Sequence, residues 1–233
     1  MASDVSTGSA GPRSSDPLPL QPDTAAPEGA AVRSSTDLRH FVRIHDGDLP
    51  PSLCDGLIAS FHAMADAQQR NGRGVRAGLE RSAWTELDIG RHADAQLRGF
   101  FRERISQALL RYNHDTALPI GIPDSPLLAP LVMKRYAAAS DERFQLHFDA
   151  INEVSDRYLV FLWYLNDVLD GGDTEFPMLD LKIAPRRGRL LVFPPYWMYQ
   201  HRGCPSPTRD KYILSTYLRF PRGPQSGGPQ SSE

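Results

Sequence analysis

The sequence predicts a mainly β (α+β) fold: a double-stranded β-helix, or jelly roll, with supporting N-terminal helices. Three observations lead there. From about residue 131 onward, short β-branched and aromatic runs are separated by Gly, Pro, Asp and Asn. Helix-period patterns are confined to the first half of the chain. The two ends are too poor in aromatic and β-branched residues to offset the entropy of ordering them. An all-β core in two layers, braced by helices, satisfies all three.

Residues 1–35 are Ala, Ser, Pro, Gly and Asp with scarcely an aromatic, and are expected to be a disordered tail. Residues 221–233 are expected to be a second one, leaving 36–220 as one folded domain. Residues 39–45 (RHFVRIH) alternate as a half-buried strand. Leu49-Pro50-Pro51-Ser52 then opens a helix in which Leu53, Leu57, Ile58 and Phe61 recur at helical spacing. Residues 68–78 (QQRNGRGVRAG) are polar, basic and glycine-rich, which predicts a mobile loop, either a solvated connector or a substrate-covering lid. A second amphipathic helix is expected over 92–112, with Leu97, Phe100, Phe101, Ile105, Leu109 and Leu110 on one face. After a Pro-rich connector at 119–130, strands are expected at 131–136, 144–149, 158–165, 182–183, 189–193 and 212–220.

Of the 233 residues, 40% are apolar, enough for one substantial core. The 26 basic and 28 acidic side chains nearly cancel, so no nucleic-acid partner and no anionic membrane surface is expected. With no basic segment followed by an apolar run at residues 1–10, and no long apolar stretch elsewhere, the expectation is a soluble, cytoplasmic protein. The two cysteines, Cys54 and Cys204, support neither a disulfide framework nor a cysteine-based zinc site and are read as free thiols. The oligomeric state is left open.

The chemistry centres on His147-Phe148-Asp149. On a strand, positions two apart share a face, so imidazole and carboxylate converge. A second copy of the spacing, His92-Ala93-Asp94, opens a predicted helix, where Asp is better read as a cap. His201 follows the 189–193 strand and the Pro194-Pro195 turn, and in a jelly roll a late strand returns beside an early one. Two histidines and one carboxylate on one face of a metal leave the other face open, as in non-haem Fe(II) oxygenases. Zinc hydrolysis would use the same ligands but needs a separate base for its water. Ten positions after His201, Lys211 opens a strand in which Lys211, Ile213 and Ser215 share a face. An inward Lys211 needs a carboxylate partner, and a dicarboxylate cosubstrate would supply one.

These segments resemble the prolyl 4-hydroxylase-like branch of the 2-oxoglutarate/Fe(II)-dependent dioxygenases: HFD at 147–149, YLNDVLDGGDTEFP at 164–177, APRRGRLLVFPP at 184–195 and H(x9)K from His201 to Lys211, in the family's order. The resemblance implies that His147, Asp149 and His201 ligate Fe(II) and that Lys211 holds the C5 carboxylate of 2-oxoglutarate. It further suggests that Tyr164 and Tyr136 line the cosubstrate pocket, with Ser215 a lesser candidate. It implies 2-oxoglutarate and O2 as cosubstrates, with ascorbate as a family accessory, and hydroxylation of an unactivated C–H with release of succinate and CO2. The carboxylate of Asp149 favours hydroxylation over halogenation, since halogenating relatives lack it. The substrate is a prolyl or other residue of a peptide or protein, or a free amino acid or small metabolite. The basic loop carrying Arg70, Arg73 and Arg76 suits either. A metal-binding jelly roll without turnover, acting as a sensor or scaffold, is the alternative.

Overall fold

The computed structural model describes residues 37–221. The terminal segments expected to be disordered, 1–35 and 221–233, fall outside these residues save for Pro221. The N-terminal part forms β1 (Arg43–His45), α1 (Pro51–Ala63), β2 (Gln69–Gly72), β3 (Ala83–Asp88), the single turn α2 (Ile89–His92) and α3 (Ala95–Thr116). Eight further strands follow: β4 (Val132–Tyr136), β5 (Phe144–His147), β6 (Arg157–Tyr164), β7 (Thr174–Phe176), β8 (Leu181–Ile183), β9 (Leu190–Phe193), β10 (His201–Gly203) and β11 (Lys211–Arg219). They make a seven-stranded sheet, β1-β9-β6-β11-β4-β3-β2, and a four-stranded sheet, β5-β10-β7-β8. Every pairing is antiparallel. This is the expected two-layer jelly roll.

The period-2 rule explains why both faces of the larger sheet are apolar. In β6, Leu159, Phe161 and Trp163 pack with Phe61, Phe101, Ile105 and Leu109 of the helices. The alternate residues, Val160, Leu162 and Tyr164, pack with Phe176 and Ile183 of the smaller sheet. β11 divides in the same way: Tyr212, Leu214 and Leu218 belong to the helix-facing core, and Ile213 and Tyr217 to the inter-sheet layer. Strands buried on both sides read as continuous apolar runs, which is how β6 (RYLVFLWY) appears in the sequence. On the helix side, the buried indole N–H of Trp163 donates to Asp48 Oδ2 at 2.8 Å. Arg111 of α3 also pairs with Asp48, so the carboxylate is charge-compensated where it is buried.

The N-terminal expectations need three corrections. Of 39–45, only Arg43–His45 is strand; Leu38–Phe41 forms a 3-10 turn because the Asp37 side chain accepts from Arg39 N at 2.9 Å and caps it. The polar stretch 68–78 is not loop throughout. Its first half is β2, an edge strand paired with β3, where polar side chains on both faces are tolerated. The second helix begins at Ala95 rather than 92, since Asp94 Oδ1 accepts from Leu97 N at 2.7 Å and fixes the start there. Asp94 is therefore the cap the sequence suggested. Cys54 and Cys204 are both free thiols. Among the described residues, no helix is long and apolar enough to cross a membrane.

Candidate active site

His147 ends β5 and His201 opens β10, and the two are register partners across the antiparallel pair. Their rings lie 4.3 Å apart, centroid to centroid. Asp149 lies two residues past His147 but beyond the end of β5, in a bend, so strand alternation is not what aims it. The Pro195 carbonyl does that, accepting from both Asp149 N and Ala150 N at 3.0 Å. The carboxylate then reaches both imidazoles: Oδ1 is 3.5 Å from His147 Nε2, and Oδ2 is 3.6 Å from His201 Nε2. One donor atom from each of the three residues lies within 4.8 Å of the others.

The donor set is prepared for a metal. His147 Nδ1 lies 2.8 Å from Gln145 O, and His201 Nδ1 lies 3.0 Å from Tyr199 O. A carbonyl can only accept, so the proton sits on each Nδ1 and each Nε2 presents its lone pair inward. Burial, with His147 alongside, pushes His201 down to about 4, leaving its ring neutral near pH 7. Burial alone would raise Asp149, but the adjacent histidines and Arg157 outweigh it and hold the carboxyl below the usual range. Tyr217 donates its hydroxyl to Asp149 Oδ1 at 3.2 Å, and Arg157 Nη1 donates to Asp149 O at 3.3 Å. Phe144 stacks on His147 at 3.7 Å, while Phe176 and Phe193 flank His201. Two imidazoles and one carboxylate suit Fe(II).

Lys211 lies at the other end of the same pocket, 2% exposed. Its Nζ donates to Gly172 O at 3.0 Å and Cys204 O at 3.3 Å, and sits 4.5 Å over the Tyr136 ring. Among the described residues it forms no ion pair within 4 Å. Burial lowers it to about 8. The Gly171-Gly172 turn makes this arrangement possible. Gly172 has φ +72, and a Cβ there would meet Val168 Cγ1 at 3.1 Å and Lys211 Cδ at 3.5 Å. Gly172→Ala is expected to cost about 1–3 kcal/mol for the strained backbone, read as a shifted urea midpoint, and to weaken dicarboxylate binding because it disturbs the carbonyl that fixes Nζ.

Tyr136 and Ser215 also line the pocket, as the sequence suggested. Ser215 Oγ is buried and has no hydrogen-bond partner. Tyr164 is not brought to the pocket. Its hydroxyl donates to Thr174 Oγ1 at 2.7 Å within the inter-sheet core, and Thr174 rather than Tyr164 faces the pocket. The second spacing match, His92 and Asp94, stays on the α2–α3 junction and joins no cluster. Sequence reading missed Tyr217, Lys134 and Arg157. The first two follow from extending its own alternation, one step beyond Ser215 on β11 and one step before Tyr136 on β4. Arg157 carried no periodic signal.

Residues 131–219 match the family model described as the 2OG-Fe(II) oxygenase superfamily. A probable prolyl 4-hydroxylase 9 of Arabidopsis thaliana is 29% identical over 106 residues, which is 34% of this chain and 37% of that protein. The chain thus spans little more than a third of the curated relative it matches. Among solved structures, a Pseudomonas putida prolyl-4-hydroxylase is 22% identical with TM-score 0.55, covering 80% of this chain and 96% of that one. A Trichoplax adhaerens prolyl hydroxylase, solved with a hypoxia inducible factor oxygen degradation domain peptide fragment, is 16% identical with TM-score 0.61, covering 77% and 84%. At these identities the likeness is one of fold. The segment that matches the family model carries the whole triad and Lys211.

Proposed function

We propose that the protein is an Fe(II)- and 2-oxoglutarate-dependent hydroxylase in which His147, Asp149 and His201 hold the iron and Lys211 holds the cosubstrate. The observation that carries the reading is the pairing, in one pocket, of a two-histidine, one-carboxylate cluster with a buried ammonium that has no carboxylate of its own. When bound, iron with 2-oxoglutarate and O2 supplies the oxidising chemistry: the keto acid loses CO2 to become succinate, and an oxygen atom is inserted into a substrate C–H.

The chain's own residues do the rest. Gln145 and Tyr199 carbonyls orient the two imidazoles, and Tyr217 and Arg157 brace Asp149. Lys211, backed by Gly172 and Cys204 carbonyls, fixes the distal carboxylate, and Val160, Leu162 and Ile213 give that part of the pocket an apolar wall that excludes water. The named relatives are prolyl hydroxylases, which supports a prolyl or other amino-acid residue of a peptide as the substrate class, with a free amino acid or small metabolite fitting the same site. The family's use of ascorbate carries over as an accessory only. Anaerobic titration with Fe(II) and then 2-oxoglutarate tests the proposal. A weak visible charge-transfer band of the chelated keto acid is expected, and its absence would hand the site to the non-catalytic reading.

A further inference from the structure

Two pockets meet at Asp149. One contains Lys211; the other is lined by Arg76, Trp84, Glu86, Lys134, Arg157 and Tyr217. We infer that this second pocket binds an anionic oxygen group of the substrate, a carboxylate or a phosphate, between Lys134 and Arg157. The inference rests on the hydroxylase reading and adds the substrate's charge to it.

Lys134 lies on β4, two residues before Tyr136, so its side chain faces the site. Its Nζ sits 5.4 Å over the Trp84 ring and 5.4 Å over the Phe144 ring. Cation–π contacts of this kind orient an ammonium without neutralising it. The natural partner would be Glu86, its register partner on β3. That carboxylate is committed elsewhere, accepting from Trp84 Nε1 at 2.6 Å and Asn71 Nδ2 at 3.0 Å. Among the described residues no ion pair within 4 Å forms at Lys134, whose ammonium is disfavoured by burial.

Arg157 likewise forms no ion pair within 4 Å among the described residues. Its guanidinium lies 3.9 Å over the Tyr217 ring, Nη1 is used on Asp149 O, and Nε is buried without a partner. Arg76 adds an exposed cation at the rim. Three cations therefore line the second pocket against one committed carboxylate, Glu86, while Asp149 belongs to the metal cluster. Lys134 and Arg157 are half-buried; unpaired charge there is costly, and a neutral substrate would leave it so. An anionic group accepts from both donors and offsets that cost.

The test uses the full chain loaded with Zn(II), a diamagnetic substitute for iron, and 2-oxoglutarate. Acetate and inorganic phosphate are titrated separately while the Trp84 indole N–H resonance is followed by NMR. Either anion alone is expected to shift that resonance saturably, and the tighter of the two identifies the group. Lys134→Met is expected to weaken the response about tenfold, the loss of one charge-assisted bond. Arg157→Met gives an independent second reading should Lys134→Met fold poorly. With iron-loaded protein, succinate release is then compared for N-acetylproline, proline and O-phosphoserine against N-acetylprolinamide, prolinamide and serine, and the acids are expected to stimulate more than their neutral partners. No shift with either anion, or shifts unchanged in both variants, would overturn the subsite. An Fe(II)–2-oxoglutarate band that persists in such protein separates that failure from a failure of the hydroxylase reading.

Discussion

Asp149→Ala is expected to abolish 2-oxoglutarate turnover and the charge-transfer band while leaving the far-UV circular dichroism spectrum unchanged. The backbone of the bend is held by Asp149 N and Ala150 N on the Pro195 carbonyl, and neither bond uses the side chain. The carboxylate, by contrast, reaches both Nε2 atoms, at 3.5 and 3.6 Å. Loss of an outer partner of a metal ligand typically costs 10–100-fold in affinity, so loss of the ligand itself should exceed about a hundredfold. His201→Ala is expected to behave alike. A fully active Asp149→Ala enzyme would remove the carboxylate from the ligand set.

The second large effect is expected at Lys211. Lys211→Met keeps the aliphatic stem and removes the charge, and 2-oxoglutarate affinity should fall about tenfold to a hundredfold, the equivalent of roughly 1.5–3 kcal/mol. Thermal stability of the ligand-free protein should rise, because a buried ammonium without a counter-charge is eliminated. The wild type should show the same opposition as a function of pH. Burial lowers Lys211 from 10.5 to about 8. The dicarboxylate selects the protonated form, so its affinity is constant below about 8 and weakens as pH rises through that value. The unfolded chain keeps its proton up to about 10.5, so between 8 and 10.5 it binds more protons than the folded chain. Ligand-free stability therefore rises across that window. Calorimetric titration against pH, for wild type and variant, measures both slopes. A variant with unchanged cosubstrate affinity would transfer the role to another cation.

Much of this was readable in the chain because the longer strands obey period 2 over most of their length, Tyr158 at the start of β6 being an exception that joins Leu159 in the helix-facing core. RYLVFLWY and KYILSTYLR each divide into a helix-facing and a site-facing set, and the second set delivers Lys211, Ser215 and, one step further, Tyr217. Three-residue strands such as β7 and β10 are too short to display a period, so the setting of His201 came only from the order of motifs. β2 and β3 were missed for another reason. β2 is polar because it is the sheet's edge, where hydrogen bonding rather than burial holds the strand, while β3, paired with β2 on one side and β4 on the other, mixes buried Trp84 and Leu87 with Thr85, Glu86 and Asp88. Asp149 was found through an argument only half right, since its aim depends on a carbonyl 46 positions away that no local pattern could reveal. Tyr164 stood in the right motif, but its hydroxyl was taken by Thr174.

The Pro195 carbonyl has a wider consequence. It belongs to the turn that leads into His201, yet it anchors the bend that presents Asp149. One oxygen atom thus stitches together the segments bearing the second and third ligands, and the cross-strand pairing of His147 with His201 closes the loop. The three donors form a ring of mutual constraint built from main chain alone. Such a ring behaves as a rigid template: an arriving ion meets side chains already in place, and the entropy of gathering them has been spent in folding.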